Sequence, residues 1–121
     1  MNKKKKESSR QVARLIAQSA ADVKALDLEV LDLRKLSSFT DYFVIATGRS
    51  DRQVQAISNR IEENLQKKKR DPLGIEGYPQ GHWICMDYGE VVAHIFYEEV
   101  RLHYGLEKLW GDAPRVRFRL K

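Results

Sequence analysis

The chain contains a single cysteine, Cys85, only three prolines among its 121 residues, and no long uninterrupted apolar run. A helical membrane span needs about 18 consecutive apolar residues, and nothing here approaches that length. One thiol closes no internal disulfide, so the fold must rest on its packed core, and a reducing compartment suits it. Lys3 to Lys6 give the N-terminus a basic start, but no apolar stretch follows, which argues against a secretory leader. With 42% apolar and 32% charged residues, collagen-like, disulfide-scaffold and fully disordered classes are excluded. The length is that of one domain, and the expected location is cytoplasmic.

What is present in excess is positive charge, +5 in total from 22 basic and 17 acidic side chains, and its placement matters. Lys3 to Lys6 supply four cations; Arg115, Arg117, Arg119 and Lys121 supply four more; neither segment holds an acid. Residues 7–114 therefore carry 14 basic and 17 acidic side chains, a net of −3. The expected organisation is a flexible basic tail over residues 1–7, a single domain over 8–114 and a basic extension over 115–121. Such ends can touch phosphates without specificity, and they are also common solubility features.

Ser8-Ser9 can cap a first helix with apolar positions Val12, Leu15, Ile16, Ala20, Val23 and Leu26, a three-and-four spacing that buries one stripe. Leu28 to Leu33 reads as a strand. Tyr42 to Ala46 is a continuous apolar run, as expected of a central strand. Residues 35–41 are too few for a parallel crossover, so these two strands should be antiparallel. Gly48-Arg49-Ser50 breaks the chain, and Ser50 or Asp51 can cap a second helix with buried positions Val54, Ile57, Ile61 and Leu65, stopped by Asp71-Pro72-Leu73-Gly74. A short strand near Ile75 and a hairpin follow, with His82 to Asp87 and Glu90 to Phe96 joined by a Tyr88-Gly89 turn. A last helix runs from Tyr97 or Glu98 to about Tyr104. The fold class is α/β: a mixed, mostly antiparallel sheet of about five strands packed with helices.

A Tyr88-Gly89 turn would set Asp87 opposite Glu90, Cys85 opposite Val92 and Trp83 opposite His94. One hairpin face then shows Trp83, Cys85, Asp87, Glu90, Val92 and His94, while Ile84, Met86, Val91, Ala93 and Ile95 form the better core face. An exposed Trp among charged neighbours resembles a binding anchor. Under a covering helix or tail it is ordinary packing, and spacing alone leaves both readings open. Cys85 and His94 share this face, but a mid-strand thiol with no oxyanion loop is an inert cysteine rather than a nucleophile. His82, His94, His103 and Cys85 show no paired metal-ligand spacing. Gly48-Arg49-Ser50 before a helix could cradle an anion, yet the paired carboxylates that two-metal nucleotidyl transfer requires are missing. No catalytic residue, cofactor or metal is expected.

Four stretches in order carry a resemblance: Thr40 to Val54 (TDYFVIATGRSDRQV), Gly81 to Ile84 (GHWI), Asp87 to Phe96 (DYGEVVAHIF) and Leu106 to Pro114 (LEKLWGDAP). Together they resemble the ribosomal silencing factor, or iojap, family over residues 8–114. The resemblance implies a nucleotidyltransferase-like fold without its catalytic carboxylates, hence no enzyme. It implies a translational repressor that binds the large ribosomal subunit at universal large-subunit protein fourteen and blocks joining of the small subunit when nutrients are short. Large-subunit assembly, as in organelle relatives, is the alternative, and residual nucleotide binding at Gly48 to Asp51 a third. The same resemblance implies a partner-binding surface with Trp83 as anchor, Asp87, Tyr88 and His94 beside it, and Phe96, Glu98 and Arg101 at the rim. It also implies homodimers. The basic ends match no part of the family pattern with a known role and suit contacts to ribosomal RNA phosphates.

Overall fold

The computed structural model describes residues 8–104, 108 and 111–121, with the backbone alone for residues 102–104. The Lys3 to Lys6 run lies outside the described residues. Helix α1 spans Ser9–Asp22. Ser8 opens it with a reciprocal cap, its Oγ accepting the Gln11 N–H while Gln11 Oε1 accepts the Ser8 N–H. The apolar stripe expected to run on to Leu26 ends earlier. Asp22 closes the helix, Lys24 takes a left-handed turn at φ 64°, and Leu26 opens the first strand. Helix α2 spans Asp51–Lys67 behind a Ser50 cap. No helix among the described residues is long and apolar enough to cross a membrane.

The strands are β1 (Leu26–Asp32), β2 (Tyr42–Gly48), β3 (Gly74–Glu76), β4 (Trp83–Asp87), β5 (Val91–Tyr97) and β6 (Arg115–Val116), with helix α3 (Glu98–Tyr104) after β5. They form one six-stranded sheet in the order β3-β4-β5-β2-β1-β6. Among the described residues only β2 and β5 pair in parallel, across a connection that includes α2, and β1 and β2 are antiparallel as their short link requires. The sixth strand comes from the basic extension. Residues 115–121 thus lie on the domain, with Arg115–Val116 paired to β1 and Val116, Phe118 and Leu120 against the core.

Helices α1 and α2 cover one sheet face. Val12, Ile16, Val54, Ile57, Ile61 and Leu65 meet Val44, Ala46, Ile84, Met86, Ala93 and Ile95, every one of them no more than 1% exposed. On the opposite face, Leu31, Leu33, Ile45, Phe96 and Ala113 form a smaller buried cluster with Phe43, Trp83 and Val100 at its margin. On that second face Leu31, Leu33 and Ile45 are buried, whereas Phe43 and, on the β4–β5 hairpin, Trp83, Cys85, Asp87 and Val92 are half-buried.

The hairpin register differs from the expected one. Asp87 pairs with Val92, Cys85 with His94 and Trp83 with Phe96. The Tyr88 N–H donates to the Val91 carbonyl at 2.9 Å, so the two turn residues are Gly89 and Glu90. Gly89 has φ 86°, and the first central position of this turn needs a positive φ that glycine adopts without strain. A Tyr88-Gly89 turn would have placed tyrosine there. Because the turn moves by one residue, each pairing moves by two and face membership is kept.

Candidate partner-binding face

Alternation along the strands brings Glu76 of β3, Trp83, Cys85 and Asp87 of β4, Val92, His94 and Phe96 of β5, and Phe43 of β2 to the half-open face. At its centre Trp83 is half-buried, its ring stacked on Phe96 with centroids 4.9 Å apart and planes 30° apart. Its Nε1–H donates to His94 Nδ1 at 3.1 Å. Phe43 meets the His94 ring edge-on at 4.6 Å. His94 is itself 7% exposed, and burial lowers its pKa to about 4, so the imidazole is neutral near pH 7. With Nδ1 accepting, the imidazole proton is assigned to Nε2, which is buried and meets no hydrogen-bond partner. The packing reading of Trp83 is met on its Phe96 and His94 side, and the side chain keeps partial exposure. The indole is packed, hydrogen-bonded and partly exposed, and a side chain held this way loses little entropy on meeting a partner.

Around that centre the expected site residues divide. Asp87 is half-buried, and its Oδ1 accepts the Gly89 N–H at 2.8 Å, which holds the turn. Phe96, fully buried, is the floor beneath Trp83, and Glu98 is exposed where α3 begins. Tyr88 does not join them. At 5% exposure it belongs to the helix-side core, burial raises its pKa, and its hydroxyl finds no partner there. Arg101 is a buried pin rather than a rim residue. Its guanidinium donates to the Asp27 carbonyl and to Thr47 Oγ1 and lies 3.8 Å from a Glu29 carboxylate oxygen. Asp27, at φ 45°, sits in the irregular stretch of β1 between Leu26 and Glu29, and Arg101 satisfies the carbonyl turned out there.

Phe43, Val92 and Glu76 belong to the face and were not singled out from sequence as site residues. The apolar run of β2 hides which of its side chains share Trp83's side until the parallel register to β5 is known. Cys85 stands directly across from His94, but burial, aided by the charges of Asp87 and Glu76, raises its thiol pKa and keeps it protonated. Among the described residues no group of three or more His, Cys, Asp or Glu side chains could hold a metal ion.

The Gly48 loop borders a cavity of about 260 Å³ lined by Arg49, Ser50, Asp51, His82 and Tyr97. Several amides that could face an anion are already engaged. Arg49 N–H donates to Gln53 Oε1 at 2.7 Å, Gln53 N–H to Ser50 Oγ at 3.1 Å, and Val54 N–H to the Ser50 carbonyl at 3.0 Å. Gly48 is required by closeness, since a Cβ there would come within 2.9 Å of the Val54 backbone nitrogen. The loop is built as a helix cap.

The family model described as "Ribosomal silencing factor during starvation" matches residues 6–121. The chain belongs to the ribosomal silencing factor family. The ribosomal silencing factor of Halalkalibacterium halodurans is 38% identical over 109 residues, 90% of this chain and 93% of that protein. A crystal structure of a Chromobacterium violaceum protein superposes with a TM-score of 0.85 at 33% identity, covering 95% of each chain. More distantly, the mouse protein named "Mitochondrial assembly of ribosomal large subunit protein 1" is 37% identical over 89 residues, 71% of this chain and 39% of its own length. The names within the family describe factors of ribosome silencing or ribosome assembly, and the Chromobacterium violaceum superposition takes in nearly the whole α/β fold described above.

Proposed function

We propose that this protein binds the large ribosomal subunit through the hairpin face centred on Trp83, at universal large-subunit protein fourteen, and prevents the small subunit from joining. It acts by occupying space, with no reaction catalysed, beside ribosomes in the cytoplasm. Basic residues at the chain ends add contacts to ribosomal RNA phosphates. The observation that carries this reading is the state of Trp83: a large aromatic packed on Phe96, hydrogen-bonded to His94 and still partly exposed. A rigid, partly exposed aromatic is the residue type that dominates binding hot spots. Glu76 and Asp87 lie on the same face, and exposed Glu98 and Glu99 follow β5, so the surroundings suit a basic ribosomal protein. Homodimers, if they use this face, would compete with the ribosome for it.

The mouse relative's name favours large-subunit assembly as a second reading, and the same face would serve both roles. The test is co-sedimentation of the protein with isolated large and small subunits. Large-subunit binding should weaken by about 2 kcal/mol or more, roughly 30-fold, in Trp83→Ala, with the cooperative thermal transition retained. Equal binding by the variant would refute the assigned anchor.

A further inference from the structure

Beyond β6 the chain continues alongside helix α1. The Arg10 guanidinium lies 5.1 Å from the Phe118 ring centroid, Arg14 donates to the Arg119 carbonyl at 2.8 Å, and the Lys121 N–H donates to Gln18 Oε1 at 3.0 Å. Arg10, Arg14 and Gln18 are successive positions four apart on one helix face, so they stand about 6 Å apart along the axis. An extended chain rises about 3.3 Å per residue, and the 118–121 segment therefore keeps step with them. Alternation then sorts the side chains. Val116, Phe118 and Leu120 pack inward, while Arg117, Arg119 and Lys121 are exposed. Arg115 is occupied by Glu29 at 2.8 Å. Exposed Arg10 and Arg14 of α1 complete a band of five cations. Asp22, near the end of that band, is engaged by Gln18 at 2.9 Å and by Arg60 at 3.8 Å.

We propose that this band, comprising Arg10, Arg14, Arg117, Arg119 and Lys121, is a preformed contact surface for a nucleic-acid phosphate backbone, which on the ribosome means ribosomal RNA. The inference rests on the large-subunit reading above and deepens it. Arg10 and Arg14 stand on α1, and Arg117, Arg119 and Lys121 are carried by a segment already fixed to the domain by a strand pairing, a hydrogen-bonded carbonyl and three inward apolar side chains. Positioned cations lose less entropy on meeting phosphates than a free basic tail would, and a guanidinium that gives one donor to a carbonyl keeps others for phosphate oxygens.

The test measures binding to isolated large subunits at 50 and 200 mM monovalent salt and fixed magnesium. Removing three cations as Arg117→Gln, Arg119→Gln and Lys121→Gln should make the affinity loss between those salts smaller by roughly 20- to 40-fold, from a slope of about 0.7–0.9 per phosphate contact. Removing three others as Lys67→Gln, Lys68→Gln and Lys69→Gln at the end of α2 should leave the salt dependence as in the wild type. The pair Phe118→Ala and Leu120→Ala keeps every charge but loosens the segment, and it should weaken binding severalfold at the lower salt. An unchanged salt slope in the first triple variant overturns the proposal, as does an equal change from the α2 variant. Unchanged affinity in the Phe118/Leu120 variant overturns the preformed geometry. Loss of binding to phosphatidylserine vesicles in the first variant, with its slope on subunits unchanged, would assign the band to membranes and overturn it too. If the wild type binds no large subunits, the functional reading itself fails; if it binds through Trp83 and the slope does not move, this inference alone fails.

Discussion

The indole N–H of Trp83 ends on a buried imidazole, so the proposed anchor is tied to a titratable group. His94 has a folded pKa of about 4 against an ordinary 6.5, because burial penalises the imidazolium. The unfolded chain therefore takes up a proton as pH falls through 6.5 while the folded chain resists until about 4. Stability from this group is full above pH 6.5 and is lost below it, by about 2–3 kcal/mol at pH 4.5. Urea unfolding of the wild type and of His94→Phe at pH 7 and pH 4.5 should show the wild type losing that much more than the variant between the two pH values. Equal losses would mean that His94 is hydrated or already charged in the folded protein. Protonation also removes the Nδ1 acceptor, so acid should loosen Trp83 and weaken partner binding before the sheet melts.

At the scale of elements, one side chain holds the start of α2 to the end of α1. Gln53 accepts the Arg49 N–H through Oε1, and its Nε2 donates to the Val23 carbonyl at 3.3 Å and the Lys24 carbonyl at 3.1 Å. Replacing Gln53 with Ala should cost about 1–3 kcal/mol in urea unfolding, the sum of two or three net hydrogen bonds. Gln53→Glu keeps the acceptor and should lose only the Nε2 part; a loss below about 0.5 kcal/mol in Gln53→Ala would contradict the bridging role. Both helices were legible because cap and stripe agree, as at Ser8 with Gln11 and at Ser50 with Val54, Ile57 and Ile61. The hairpin existed in the sequence but its register did not. That was decided by which turn position takes the positive φ of Gly89, a choice between adjacent residues that apolar alternation leaves equal. Arg101 gave no local sign of its role, since the carbonyl it satisfies lies 74 residues earlier.

For the whole molecule, the sheet has one face sealed by α1 and α2 and one face half open, and the cationic band lies along α1 beside β6, at the sheet edge opposite β3 and β4. Acidic residues beside Trp83 and cations along α1 are thus held apart on one small domain, on the two surfaces proposed for different partners. The charge division between residues 7–114 and 115–121 was readable from sequence. Docking of the extension was also written there, in the alternation Arg115-Val116-Arg117-Phe118-Arg119-Leu120-Lys121, but the density of charge masked its period of two. Which strand it would join depends on the free edge of β1, which only the assembled sheet reveals. The most direct measurement is subunit joining: large subunits saturated with the protein are mixed with small subunits, and joined ribosomes are quantified on a sucrose gradient. Joined ribosomes should fall in proportion to occupancy and recover with Trp83→Ala, whereas undiminished joining on fully occupied large subunits would contradict steric silencing.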